Sequence, residues 1–297
     1  MKVLEKIQII PKKKNTPPKV QAMILSIAPT KNSYNGEILG RSLTDWVAFA
    51  CNKIDKKTID FDGKSNLISF AKEHLDNRYD YTIILLSTTP LLTSETIKNI
   101  IDYATFKEVS CCKLPVGYVV NNKYILSTDS PQVDSLYSQF LEDFYVVENK
   151  KQYTKAEEVL QDRINSFHIA NGVDIKRPSS VYIEPEVDIS SGVIIFGGNT
   201  LRGNTFVGKG VILKENNVIS NVKIGDHSCV SGSMLDNSTL GSNVYVSTFC
   251  TITDSIIGND VIINPSCTIS NTSIISNSKI KSNSVLGDSN DSSCGIR

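Results

Sequence analysis

The stretch VYIEPEVDISSGVIIFGGNTLRGNTFVGKGVILKENNVIS, residues 181–220, decides how this chain is read. Ile183, Ile189, Ile195, Leu201, Val207, Leu213 and Ile219 recur at every sixth position. Such a period fits neither a helix, with about 3.6 residues per turn, nor a strand, with its alternation of about two. It fits a parallel β-helix, in which each hexapeptide forms one side of a prism and its apolar residue points inward. Gly, Asn, Asp and Ser fill the positions between, as turns require. Coils of such a prism stack at the strand spacing, about 4.8 Å. The pattern continues in shorter registers: Ile224 and Val230, then Leu240, Val246 and Ile252, then Ile257, Ile263 and Ile269. A small residue follows four positions later in places, as Cys250 does after Val246 and Cys267 after Ile263. An irregular Ser/Asn-rich tail has no such apolar periodicity. Residues 174–297 are assigned to the β-helix.

Upstream, KQYTKAEEVLQDRINSFHIANGV (151–173) reads as one linking helix. Ala156, Leu160, Ile164 and Phe167 share a face, and Asn171-Gly172 suits a C-cap. Residues 1–150 follow a different grammar. AMILSIA (22–28) and YTIILLS (81–87) are apolar throughout, as buried parallel strands are. LTDWVAFACNKI (43–54) and SNLISFAKEHL (65–75) have helical spacing, with Trp46, Val47 and Ala50 in one and Leu67, Ala71 and Leu75 in the other. TSETIKNIIDYA (93–104) opens with a capping pattern: Thr93 stands three residues before Thr96, and Glu95 puts an acid in the first turn. The first part is expected to be an α/β domain with a mainly parallel sheet.

The 297 residues hold 31 basic and 31 acidic side chains, a net charge of zero. Nothing in that balance points to nucleic acid or an anionic membrane. No apolar run approaches the roughly 20 residues of a membrane span, and the first residues do not have the pattern of a signal peptide. The seven cysteines include no CxxC pair and read as free thiols of a cytoplasmic protein. Adjacent Cys111 and Cys112 read as buried small residues. PKKKNTPPK (11–19) reads as a solvated linker.

The string at 150–189 carries a family resemblance. Its Ala156, Glu157, Leu160, Arg163, Ile164, Asn165, His168, Gly172, Val173, Pro178, Tyr182 and Ile183 resemble the junction of the bifunctional N-acetylglucosamine-1-phosphate uridylyltransferase / glucosamine-1-phosphate acetyltransferase family. TTPLLTSETI (88–97) and GRSLTDWV (40–47) resemble that family's GDTPLLTxETx and GKPMxExV. The resemblance implies a Rossmann-like nucleotidyltransferase-type domain, shortened here, and then a trimeric left-handed β-helix. It also implies uridylyl transfer from UTP with Mg²⁺ and acetyl transfer from acetyl-CoA.

Laid on the family's motifs, the residues depart from both activities. The phosphate loop LAAGxGTRM falls on LSIAPTKNS (25–33): Ala28 and Thr30 replace glycines, Asn32 replaces the Arg, and Lys31 is the one cation left nearby. The uracil-reading QxGTA falls on FDGKS (61–65), where Gly63 is kept. The metal-binding Asp falls on Thr88, a neutral hydroxyl where such sites use carboxylates. A second metal-binding Asn falls on Glu148 or Asn149. Lys31, Gly63 and Thr88 are therefore read as the remnant of a nucleotide site, with no metal bound. For acetyl transfer, SNSVLGDS (282–289) resembles the family's HLxYLGD, so that Ser282 stands for the His and Val285 for the Tyr. His227, in a turn of the β-helix, and Ser282 are the weak catalytic candidates. A zinc site of three imidazoles from facing coils is disfavoured, since only His227 of the three histidines lies in the β-helix proper.

Two functions follow. The first is a degenerate, non-catalytic homotrimer, a scaffold or regulatory binding protein of amino-sugar nucleotide metabolism with no cofactor, taking a sugar-nucleotide ligand or a protein partner. The second is an active nucleotidyltransferase or acyltransferase with a remodelled site, and only that reading calls for Mg²⁺ and UTP or acetyl-CoA.

Overall fold

The computed structural model describes residues 17–27 and 37–287. Residues 17–27 and 43–146 form one compact unit, and residues 37–42 and 147–287 form a second.

The first unit is a Rossmann-like α/β sheet. Its elements are β1 (Val20–Ile27), α1 (Leu43–Ala50), β2 (Asp55–Phe61), α2 (Leu67–Glu73), β3 (Tyr81–Leu86), α3 (Ser94–Phe106), β4 (Cys111–Lys113), β5 (Tyr118–Asn121), α4 (Asn122–Ser127) and β6 (Ser135–Leu136). The strand order is β2-β1-β3-β5-β4-β6. β1 runs parallel to β2 and β3, and β6 to β4, while β5 is antiparallel to both β3 and β4, so the sheet is mainly parallel, as expected, and the reversed β5 alone makes it mixed. The change of direction comes from a tight hairpin at Leu114–Gly117, where the Leu114 N–H donates to the Gly117 carbonyl. Gly117 has φ +104°, and a Cβ there would collide with the Ile84 carbonyl oxygen. The apolar runs of β1 and β3 are explained by burial on both faces. Ala22, Ile24, Ile83 and Leu85 pack with α1 and α3, while Met23, Leu25 and Ile84 pack with α2 and α4.

The second unit is a parallel β-helix of about seven turns. Two of its faces hold seven strands and the third holds six, all paired parallel. Every position in the opening six-residue series is buried, from Ile183 at 0% exposure to Ile189 at 7%. The breaks in register have a simple cause. Leu235 lies on the same face as Ile219 and Ile252. The steps from Ile219 to Ile224, from Val230 to Leu235 and from Leu235 to Leu240 span five residues instead of six. Those short steps lose a residue at a corner, not an inward position, so the core runs unbroken to Ile280.

The helix α5 (Lys150–Ala170) precedes the prism and opens with a capping box between Asn149 and Gln152. Tyr153, Ala156, Leu160, Asn165 and His168 form its buried face, and Ile164 packs against the prism core. Phe167, expected on that face, is 64% exposed, because the helical stripe passes from Ile164 to His168. The Asn165 amide donates to the carbonyls of Pro178 and Val181, and the Gln161 side-chain oxygen accepts from the Ile183 N–H. Backbone groups at the start of the prism are satisfied in this way.

Residues 37–42 join this unit as a small turn. Ile38 and Arg41 exchange both backbone hydrogen bonds, and Leu39 and Gly40 have φ of 50° and 75°. Two positive values are the signature of a type I′ turn. Ile38 and Leu39 are buried, Arg41 pairs with Glu186 at 2.6 Å, and the Tyr153 hydroxyl donates to the Glu37 carbonyl.

Candidate functional site

In open α/β sheets, ligands bind where the parallel strands end at their carboxyl side. Here β1, β2 and β3 end together, with Ile27 paired to Phe61 and Leu25 to Leu86. The loop after β1, with Ala28, Pro29, Thr30, Lys31 and Asn32, lies outside the described residues. After β2 the chain turns at Gly63, whose φ is +70°. A Cβ at Gly63 would lie 3.4 Å from the Ile27 side chain, an ordinary contact, so the glycine answers to backbone conformation and not to crowding. The Asp62 carboxylate closes that turn. It accepts the Lys64 N–H at 3.0 Å, the Ser65 N–H at 2.9 Å and the Ser65 hydroxyl at 2.7 Å. These bonds, the Ser65 hydroxyl first, hold its carboxyl down to about 2. Asn66 then caps α2.

After β3, the Ser87 N–H donates to the Leu25 carbonyl and its hydroxyl accepts from the Ile27 N–H. Thr88 follows, half-buried, and the Thr89 hydroxyl donates back to the Leu86 carbonyl. Thr93 caps α3, as its spacing implies. The edge thus puts Gly63 after β2 and Ser87 and Thr88 after β3, on the two strands that flank β1. Among the described residues, the donors at this edge do not fit a hard divalent cation. Thr88 is neutral, and Asp62 is occupied by its own turn. Among the described residues, no group of three or more His, Cys, Asp or Glu side chains is placed to hold a metal ion. Asn149 has a structural task as the N-cap of α5, while Glu148 is exposed.

His227 is a corner residue. Its φ of 58° puts it in a column of left-handed positions with Gly192, Gly210, Asn243, Asp260 and Asn277. Its ring lies over Gly210, where a Cβ would come within 2.5 Å of Nδ1. Ser282 is exposed at another corner, next to left-handed Asn283. The two are on different edges of the prism: His227 follows Ile224, and Ser282 follows Ile280.

Cys111 and Cys112 are fully buried, and burial pushes both thiols up to about 11, which suits packing and not nucleophilic work. Sequence reading misses the carboxylate of Asp143. It is buried and accepts from the hydroxyls of Thr93 and Thr96 at the start of α3. No local motif marks that contact, since 47 residues separate Thr96 from Asp143.

Similarity to known proteins concentrates on the second unit. The family model "GMPPB C-terminal domain" matches residues 178–289. The bifunctional protein GlmU of Clostridioides difficile (strain 630) is 31% identical over 172 residues, 58% of this chain and 38% of that protein. GlmU of Clostridium beijerinckii is 29% identical over 172 residues, with the same coverage. Among solved structures, a hexapeptide transferase family protein from Anaplasma phagocytophilum shares 11% identity at a TM-score of 0.23, covering 40% of this chain and 80% of that one. A UDP-N-acetylglucosamine acyltransferase shares 20% identity at a TM-score of 0.22, covering 39% and 62%. The chain spans 38% of the length of the curated relatives it matches. On that matched C-terminal part, the chain is similar to the GlmU proteins.

Proposed function

We propose that this chain is a non-catalytic relative of the bifunctional enzymes that make UDP-N-acetylglucosamine, acting in the cytoplasm as a self-associating scaffold or regulatory binding protein of amino-sugar nucleotide metabolism. One observation carries the reading: the carboxyl edge of β1–β3 presents Thr88 where the family resemblance implies a metal-binding Asp, and Asp62, at the end of β2, is committed to a turn. Phosphoryl-type transfer rests on positioning and on metal charge, so such an edge keeps the frame of a nucleotide site without its chemistry. The corner role of His227 supports the same reading for acetyl transfer, because a general base needs an oriented partner and a substrate within reach. No described helix is long and apolar enough to cross a membrane.

The test is a coupled pyrophosphate-release assay with UTP, N-acetylglucosamine 1-phosphate and Mg²⁺, run beside a free-thiol assay with acetyl-CoA and glucosamine 1-phosphate. No turnover above the protein-free rate is expected in either. Turnover that disappears on Asp62→Asn or Lys31→Gln would establish the opposite reading, an active enzyme with a remodelled site. Sedimentation at micromolar concentration checks the trimer, and a monomer there would remove the scaffold.

A further inference from the structure

The sheet of the first unit ends in β2, and among the described residues no strand pairs with its outer side. β2 is seven residues long and pairs with β1 along its whole length, so every second residue turns its N–H and C=O outward. The opposite edge strand, β6, has two residues and offers no such template. A long open edge accepts a further strand, and main-chain hydrogen bonds supply the adhesion.

The side chains decide which strand fits. Those of DKKTIDF alternate across the sheet. Lys57, Ile59 and Phe61 lie on the side of α2: Ile59 and Phe61 join its core cluster, and the Lys57 ammonium donates to the carbonyl of His74, the C-cap of that helix. Lys56, Thr58 and Asp60 lie on the other side, all three exposed. The Lys56 ammonium donates to the Ala48 carbonyl at 2.9 Å and has two further protons to give. Among the described residues, the Asp60 carboxylate has no partner. Lysines on an edge turn away most strands, because an ammonium set against an apolar or basic residue opposes pairing.

We propose that β2 pairs with β2 of a second copy of this chain, antiparallel, about a two-fold axis at Thr58, so that the two six-stranded sheets run on as one. Charge complementarity selects both the occupant and the register. Two identical strands related by a two-fold axis across the sheet run antiparallel, and residues that face one another lie on the same side of it. The axis must therefore pass between a residue and its own copy. An axis at Lys56, Lys57 or Asp60 sets that charge against itself. An axis at Ile59 sets Lys57 against Phe61 and Asp60 against Thr58, with no pairing of charges within the strand. An axis at Thr58 sets Lys56 of each copy against Asp60 of the other, twice by symmetry, and Thr58 against Thr58, a favourable cross-strand pair. It also sets Lys57 against Ile59, but that ammonium is already held by the His74 carbonyl. One strand is a smaller contact than the roughly 800 Å² per partner of a standard interface, so the dimer is expected to be reversible. The surface lies wholly in the first unit and stands whether or not the β-helix self-associates.

Sedimentation equilibrium of the full chain, from low micromolar to several hundred micromolar, tests it. The mass per particle should double with concentration. Lys56→Asp sets an acid against Asp60 at two symmetric places and should weaken the doubling at least about fivefold. Asp60→Lys should weaken it to a similar extent, and if one of the two variants melts early the other gives the same reading. Combining Lys56→Asp with Asp60→Lys restores opposite charges across the axis and should bring the dissociation constant back to within about twofold of the wild-type value. A mass that never doubles, single variants that associate as the wild type does, or a combined variant no tighter than the single ones would overturn the proposal. Threefold growth in mass that Lys56→Asp leaves untouched would also overturn it, while supporting self-association through the β-helix.

Discussion

The two units of this chain solve the problem of turning a backbone in opposite ways. The β-helix repeats one solution. Each coil needs the same inward apolar residue and the same left-handed corners, supplied by columns such as Gly192, Gly210, His227, Asn243, Asp260 and Asn277. The first unit solves each turn once. Asp62 closes the turn after β2, Ser87 ties β3 to β1, and Asp143 accepts from the hydroxyls at the start of α3 from 47 residues beyond Thr96. Repetition makes a demand visible in sequence; a unique solution leaves no pattern to see.

The sharpest way to break that comparison is to place a charge in the prism. Ile195 is 0% exposed and sits between Ile175 and Leu213 in adjacent coils. Ile195→Asp buries a carboxylate without a partner and should cost more than about 4 kcal/mol, or prevent folding of the β-helix altogether. Ile256 shares the sequence pattern "II" but points outward and is 60% exposed. Ile256→Asp should change stability by no more than about 0.5 kcal/mol. Circular dichroism melts of the two variants measure the difference. Equal effects would show that the inward assignment is wrong.

What is legible in the sequence follows the same division. The inward series from Ile183 to Ile219 can be read because one physical demand recurs seven times. Leu235 escapes because the five-residue steps beside it break the counting, although the residue itself is as buried as its neighbours. Strands β1 and β3 and the Thr93 cap are readable from local pattern alone. The antiparallel β5 is not, since only the geometry at Gly117 reveals that the chain reverses there. The turn at 37–42 is also hidden. Its positive φ values at Leu39 and Gly40 use a Leu where Asn or Gly is usual, and its burial is decided by the second unit. For the candidate site, Thr88 is legible as a missing charge. The engagement of Asp62 by Ser65 is a matter of three-dimensional geometry that no spacing rule supplies.

A second test sits in the first unit, where a single contact replaces a repeat. Asp143→Ala removes a buried carboxylate that accepts from two hydroxyls at the start of α3. It leaves the Thr93 and Thr96 hydroxyls without that acceptor, and a loss of about 2–3 kcal/mol is expected. A double-mutant cycle with Thr96→Val, followed by urea unfolding, isolates the pair. Additive losses would mean the contact carries no coupling and that α3 is held by packing alone.

A smaller effect is expected from pH, and it belongs to the β-helix unit. His168 is buried on α5, and burial lowers its pKa below 6.5, opposed by nearby Asp188. The unfolded chain then binds a proton at about pH 6.5 that the folded chain takes up only at lower pH. Stability is fully present above the unfolded value and falls as pH drops through 6.5 toward the folded value. The melting temperature should therefore fall between about pH 7.5 and 5.5, and fall less in His168→Gln. Parallel curves for the two proteins would assign the pH dependence to other groups.

The smallest effect sits where the repeat is broken by one residue. Phe249 occupies a left-handed corner at φ 61° and is 77% exposed. The same edge elsewhere uses Gly198, Asn216, Gly232, Ser266 and Asn283. The left-handed conformation costs an ordinary side chain about 1–2 kcal/mol, and Asn recovers part of that by local hydrogen bonding. Little burial is lost when so exposed a ring is removed. Phe249→Asn should therefore stabilise the chain by about 0.5–1 kcal/mol, read as a higher urea midpoint at unchanged slope. The opposite sign would be informative in a definite way. A lower midpoint whose deficit grows with protein concentration means that the ring is covered in the assembled protein and that the strain is repaid there. That result would put the self-association face at this edge of the prism, where Tyr245 and Met234, at 40% and 49% exposure, lie on the two faces that meet at the corner.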